Sequence, residues 1–220
     1  MPMIADEVIL LKRTTSAVMA AGLILTILIS NAGSIIRDGR RLDGLRGRVL
    51  RLHILANSDS EEDQRLKLLV RDELLRRGYF SGASDLSEAE AIVQERLGDI
   101  EDTAEDVLRE NGCTDCVTAE LETTDFTDRV YGNITMPSGE YKALRIKIGK
   151  AEGHNWWCVM YPPLCIPAAC GSEDEEADVA EDESAEEEYF DDEELDILKK
   201  PKKYKVRFAI WDKIKSLIDD

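Results

Sequence analysis

The histidines of this chain are His53 and His154, and a nucleophilic enzyme needs a base beside its nucleophile and a third group to orient that base. His53 alternates with apolar residues and points towards the run Asn57-Ser58-Asp59-Ser60. It could therefore meet Asp59 or Asp63 at one end of a sheet as a histidine–carboxylate pair for hydrolysis. A partner-contact site is the other functional reading, and a structural histidine beside an ordinary helix cap is the alternative to both. No G-x-S-x-G elbow accompanies either histidine.

Cys113 and Cys116 have the spacing of half a zinc site or of a redox pair, but no second such pair and no histidine pair completes a metal site. Cys158, Cys165 and Cys170 lie close to Trp156-Trp157 and Pro162-Pro163. In an exported protein two of them, with Cys158 and Cys165 as the candidate pair, can form a disulfide; buried thiols are the alternative. Adjacent tryptophans in a strand point to opposite faces. One therefore enters a core while the other is either an exposed anchor for a partner or covered by a helix. The loop at 149–155 lacks the spacing of a phosphate cradle, and nothing points to a cofactor.

The elements that would position these residues follow from periodicity. Leu50, Leu52, Ile54 and Ala56 alternate with Arg51 and His53 as a half-buried strand. Ser58 with Glu61 forms a capping box ahead of a helix carrying Leu66, Leu69, Val70 and Leu74 and stopped by Gly78. Ser87 with Glu90 repeats the arrangement before a second helix carrying Ile92, Leu97, Ile100, Ala104, Val107 and Leu108. Val117, Ala119 and Leu121 mark a strand, Leu144, Ile146 and Ile148 another, and residues 156–161 a fourth that Pro162 and Pro163 end. Val206, Ile210, Trp211, Ile214, Leu217 and Ile218 form a closing amphipathic helix. This order predicts one α+β domain: a roughly four-stranded mixed or antiparallel sheet with two to three packed helices, after an N-terminal hydrophobic segment.

Residues 14–36 carry no charge, and their apolar centre, 17–29, has the length of a secretory core behind Lys12 and Arg13. Ala32 and Gly33 flank a candidate cleavage position. With residues 14–16 drawn in, the same segment is a marginal membrane span, so cleaved signal and uncleaved anchor both stand. Six arginines between Arg37 and Arg51 oppose export by the positive-inside rule, whereas the order of basic, apolar and small residues favours it. The formal charge is −18, from 28 basic and 46 acidic residues, which argues against binding nucleic acid. Sixteen of those acids lie between Ser172 and Asp196, where no Lys or Arg occurs, and removing them leaves 30 acidic against 28 basic. The low pI thus belongs to one tract, which by composition reads as disordered.

The expected organisation is a signal peptide or anchor at 1–36, a basic tether at 37–48, the α+β domain at 49–171, an acidic disordered insertion and basic linker at 172–203, and a helix at 204–220 packing on the domain. Residues 51–72, Tyr131-Gly132, residues 137–141 and 143–146, and residues 153–165 with Trp156-Trp157-Cys158 resemble, in matching order, the stage II sporulation protein R family. The acidic insertion departs from that pattern. The resemblance implies a signalling protein, not an enzyme, exported from the forespore into the space between the forespore and mother-cell membranes. Its partner there would be a membrane-embedded aspartic protease, stage II sporulation protein GA, which processes pro-sigma-E. Candidate contact residues are His53, Asn57 and Asp59 at one sheet end and Asn155, Trp156, Trp157, Pro162 and Pro163 at a rim; a secreted hydrolase using His53 with Asp59 or Asp63 is the alternative.

Overall fold

The computed structural model describes residues 2–79, 82–163 and 189–218. The chain forms two compact units, Met1–Leu42 with Lys203–Asp220, and Asp43–Lys202.

The first unit contains most of α1 (Pro2–Arg46) and of the closing helix, here numbered α6 (Pro201–Ile218). An 18-residue window within Val18–Arg46 has a mean hydropathy of 1.9 and none of it is buried, so by length and composition this helix can cross a membrane. Residues 37–48 do not form the expected tether, because the helix runs on to Arg46. Arginine is a good helix former, and Asp38, which is buried, pairs with Arg37 and with Arg207 of α6. Ala32 and Gly33 lie inside this continuous helix.

The second unit is the α+β body. A strand, β1 (Leu50–Leu55), leads to three helices, α2 (Glu61–Arg77), α3 (Leu86–Glu95) and α4 (Leu97–Glu110). Then follow β2 (Val117–Phe126), a short hairpin of β3 (Arg129–Tyr131) and β4 (Ile134–Met136), β5 (Gly139–Ile148), β6 (Asn155–Tyr161) and α5 (Asp192–Lys199). The four long strands make a mixed sheet in the order β2-β5-β1-β6. β1 runs parallel to β5 and antiparallel to β6, and β2 is antiparallel to β5.

One sheet face is apolar and covered by helices. Leu52 and Ile54, with Leu144, Ile146, Trp156 and Cys158, pack against Leu66, Val70 and Leu74 of α2, Val93 of α3, and Ile100, Ala104 and Leu108 of α4. Both N-caps differ from the expected ones by two residues. Ser60 caps α2 by accepting from the Asp63 amide, and Gly78 closes it in the left-handed conformation that glycine adopts without strain. Asp85 caps α3 by accepting from the Glu88 amide. The single helix expected at 87–111 is broken at Arg96, whose guanidinium bonds the Tyr79 carbonyl.

The other face is closed at one end by the β3–β4 hairpin and α5, which bury Phe126, Ile134, Met136, Tyr141, Val159, Phe190, Leu195 and Leu198 together. Helix α5 corrects the expectation of disorder through residue 203. Asp191 and Glu194 form a capping box, three acids sit in its first turn where the helix dipole favours them, and Leu195, Ile197 and Leu198 are buried. Residues 172–188 of the acidic tract lie outside the described residues.

Among the described residues each outer strand, β2 and β6, is paired along one edge only, and the other edge of β2 is partly stopped. Glu101 and Glu105, one turn apart on α4, accept from the amides of Ala119 (2.7 Å) and Val117 (3.2 Å). These carboxylates occupy donors that a further strand would need.

Candidate functional site

The turn after β1 is a clamp. Asn57 Oδ1 accepts from the Lys150 amide (3.0 Å), its Nδ2 donates to Asp63 Oδ2 (3.1 Å), and its carbonyl accepts from the Glu152 amide (3.2 Å). The Ser58 hydroxyl donates to the same Asp63 oxygen at 2.5 Å, and Asp63 is held below the usual carboxylate range, chiefly by that bond. Asp59 Oδ1 accepts from the His154 amide (2.5 Å) and meets its ring Nδ1 (2.6 Å), and these bonds hold it below its ordinary range too. With the Gly153 amide donating to the Ala56 carbonyl (3.0 Å), the loop at 149–154 is tied to the turn at five points by backbone and side-chain bonds. Gly153 lies so close to the Ser58 backbone that no side chain would fit there, and Gly149 (φ 56°) presses on the Asn57 side chain. Asn57 and Asp59, expected as partner contacts, therefore shape this loop.

His53 belongs to a different group. Strand β1 was expected to be half-buried, yet all six of its residues are buried, because it is an inner strand and its second face is roofed by rings. The His53 ring stacks on Trp157, its register partner on β6, at 3.7 Å and 13°. Phe126 meets Trp157 edge-on at 4.8 Å. Arg129 lies 5.2 Å over Trp157.

Two residues before His53 on the same face, Arg51 is fully buried. Its guanidinium lies 3.9 Å from the Phe126 ring centre and 4.9 Å from that of Tyr141, and Nη2 donates to the Tyr131 hydroxyl at 2.9 Å. Cation–π contact replaces the carboxylate that a buried arginine ordinarily finds. Burial first, then the fields of Arg145, Arg51 and Arg129, push the His53 pKa down to about 3; the nearby Asn155 side chain acts the other way. At neutral pH His53 is an uncharged aromatic. Burial likewise pushes Tyr141 up to about 12, so its hydroxyl stays protonated and donates to the Pro137 carbonyl at 2.6 Å.

Beyond this cluster the face opens. Lys147 and Arg145 of β5 pair with Glu120 and Glu122 of β2 across the strands, and all four side chains remain partly exposed.

The structure therefore divides the sequence-derived residues. His53, Trp157 and Asn155 come together on the second face. Trp156 enters the helix-covered core, with Arg71 of α2 5.3 Å over its ring. Pro162 is buried and Pro163 exposed. His53 and the carboxylates proposed for hydrolysis are not brought together: Asp59 bonds His154, Asp63 bonds Asn57 and Ser58, and His53 is held neutral by burial and arginines. Arg51, Arg129 and Arg145 were not singled out beforehand, although Arg51 and Arg145 shared the polar phase of their strands with His53.

Cys113 and Cys116 are free thiols, and burial raises the Cys113 pKa. Among the described residues no three His, Cys, Asp or Glu side chains are grouped to hold a metal. Cys158 is buried and disulfide-bonded; Cys165 and Cys170 lie outside the described residues.

Fold and site define an α+β module behind an apolar helix, with an aromatic–arginine cluster on the partly open face of its sheet. The family model of stage II sporulation protein R matches residues 46–170, and the chain belongs to that family. It is similar to stage II sporulation protein R of Bacillus subtilis strain 168, at 35% identity over 119 residues. The alignment covers 53% of this chain and 53% of the relative, so the chain spans about half the length of the curated relative it matches. No solved structure matches.

Proposed function

We propose that this chain is an exported ligand of endospore formation. It acts from the space between the forespore and mother-cell membranes on a membrane-embedded aspartic protease, stage II sporulation protein GA, and thereby promotes processing of pro-sigma-E. Family membership and the membrane-length apolar helix support this reading. The observation that carries the contact surface is the His53–Trp157 stack, flanked by Arg129 and Arg145 on the open part of the sheet. A half-buried tryptophan beside arginines has the composition of an interface hot spot. It offers no proton-transfer pair.

A ligand activates a receptor by binding its active arrangement better than its inactive one. The contact in this reading is centred on Trp157 and Asn155, with the buried His53 supporting the Trp157 ring from beneath and Pro163 exposed beyond the end of β6. Asn57 and Asp59 contribute through the shape of the clamped loop. The test reconstitutes the receptor protease and its pro-sigma substrate in membranes and supplies the full chain on the extracytoplasmic side. Dose-dependent cleavage is expected, and Trp157→Ala should lower it at least about tenfold. Full activity from a folded Trp157→Ala chain would remove this face from the contact, and no cleavage by an otherwise competent receptor would reject the ligand reading.

A further inference from the structure

Helix α6 carries two apolar stripes. Tyr204 and Phe208 are buried, with their rings stacked at 5.6 Å, and Trp211 beside them lies against Gly39 of α1 so closely that any side chain there would overlap its indole. The Arg207–Asp38 ion pair, at 2.5 Å, reinforces this contact within the first unit. The second stripe is Val206, Ile210, Ile214 and Leu217, at the three- and four-residue spacings of one helix face. All four are exposed, Val206 and Leu217 to 71% and 69%. An exposed stripe of this length, beside basic residues, is a surface awaiting an apolar partner.

Its surroundings select that partner. Between Lys203 and Leu217, α6 has Lys203, Lys205, Arg207, Lys213 and Lys215 against the single acid Asp212. It meets α1 at Asp38 and Gly39, just where the uncharged run ends and arginines begin. There Gly33, Ile36, Arg37, Arg40 and Arg41 line a groove of about 450 Å³. A helix with low net hydrophobicity, an apolar face and a basic flank lies in the plane of a membrane interface. Basic side chains in such a position attract anionic headgroups.

We infer that α6 is a membrane-surface anchor, its Val206–Ile210–Ile214–Leu217 stripe seated in the interface of an anionic bilayer, at the point where α1 leaves the hydrocarbon. This is independent of the ligand reading and of whether α1 is cut near Ala32 and Gly33. If α1 were cut, α6 would become the remaining attachment.

The test uses the full chain in vesicles of brominated lipid. Ile214→Trp is added, so that its extra fluorescence quenching over the parent chain reports the depth of position 214. Strong added quenching is expected in phosphatidylglycerol vesicles and weaker quenching in phosphatidylcholine. In the Val206→Glu/Leu217→Glu variant it should fall by more than about half. Should that variant lose helicity by circular dichroism, Lys203→Glu/Lys213→Glu, which keeps the apolar stripe, should lose the preference for anionic lipid. Added quenching that is absent, survives the glutamates, or is equal in both lipids overturns the inference. So would dimers cross-linked through the stripe without lipid contact, which would assign it to a second copy.

Discussion

Leu52 and Ile54 on one side of β1, and Arg51 and His53 on the other, are all buried, but by opposite means. The first pair meets aliphatic side chains of three helices and is stabilised by removal from water. The second pair meets aromatic rings. Phe126 and Tyr141 face the Arg51 guanidinium, and Trp157 covers His53. On the helix-covered face, burial itself contributes stability. On the ring-covered face it opposes charge, and the surroundings offset this by neutralising a histidine and cradling an arginine. The lesson is that periodicity of two marks which residues share a face, and says nothing of whether the polar face is wet.

The contrast can be broken most forcefully at Leu52. Leu52→Ala should cost about 3 kcal/mol in chemical denaturation, since it leaves a cavity under packed helices. A loss under about 1 kcal/mol would mean that the helix-covered face repacks freely. Asn57→Ala should cost roughly 2 kcal/mol by removing side-chain bonds to Lys150 and Asp63. It should also speed amide exchange in the loop at 149–154; unchanged exchange there would refute the clamp.

The ring-covered face should show itself in acid. The His53 pKa is about 3 in the folded chain, against an ordinary 6.5. Between these values the unfolded state binds a proton that the native state does not. This contribution is therefore complete above about pH 6.5 and lost as pH falls towards 3, at up to about 1.4 kcal/mol per pH unit. Compared with wild type, His53→Phe should flatten the stability profile in that window. A parallel profile for the two proteins would contradict the buried neutral histidine.

Arg51→Met should change stability by no more than about 1 kcal/mol in either direction, because it removes both the cation–π contacts and the desolvation of a charge. A loss above about 3 kcal/mol would show that the guanidinium has a stronger partner than rings and one hydroxyl. Smallest of all, Lys147→Ala should cost under about 0.5 kcal/mol, as expected for a partly exposed cross-strand pair.

Much of the body was legible in the sequence because its signals are local. Alternation gave three of the four long strands, the run 156–161 ended by Pro162 and Pro163 gave the fourth, and Gly78 and the serine-rich turn bracketed α2. The cap lay at Ser60 rather than Ser58 because the Ser58 hydroxyl donates to the Asp63 side chain instead. The β3–β4 hairpin is too short to show periodicity. Helix α5 was hidden in an acidic run whose charge masked the spacing of Leu195, Ile197 and Leu198. The site was legible only in part. His53 and Trp157 were singled out, but their stacking depends on the antiparallel register of β1 with β6, which no local pattern reveals. Trp156 was grouped with Trp157 by adjacency, and the pleat separates them.

The two carboxylates of α4 on the margin of β2 give the sheet a direction of growth. An incoming strand, from a receptor or from another copy, would have to dislodge Glu101 and Glu105 before reaching the amides of Ala119 and Val117. On the opposite margin, among the described residues, β6 is hydrogen-bonded in the sheet to β1 alone. Among the described residues the β6 margin is the less obstructed of the two, and a strand pairing there would bring recognition by main chain and recognition by side chain together at the strand that carries Trp157.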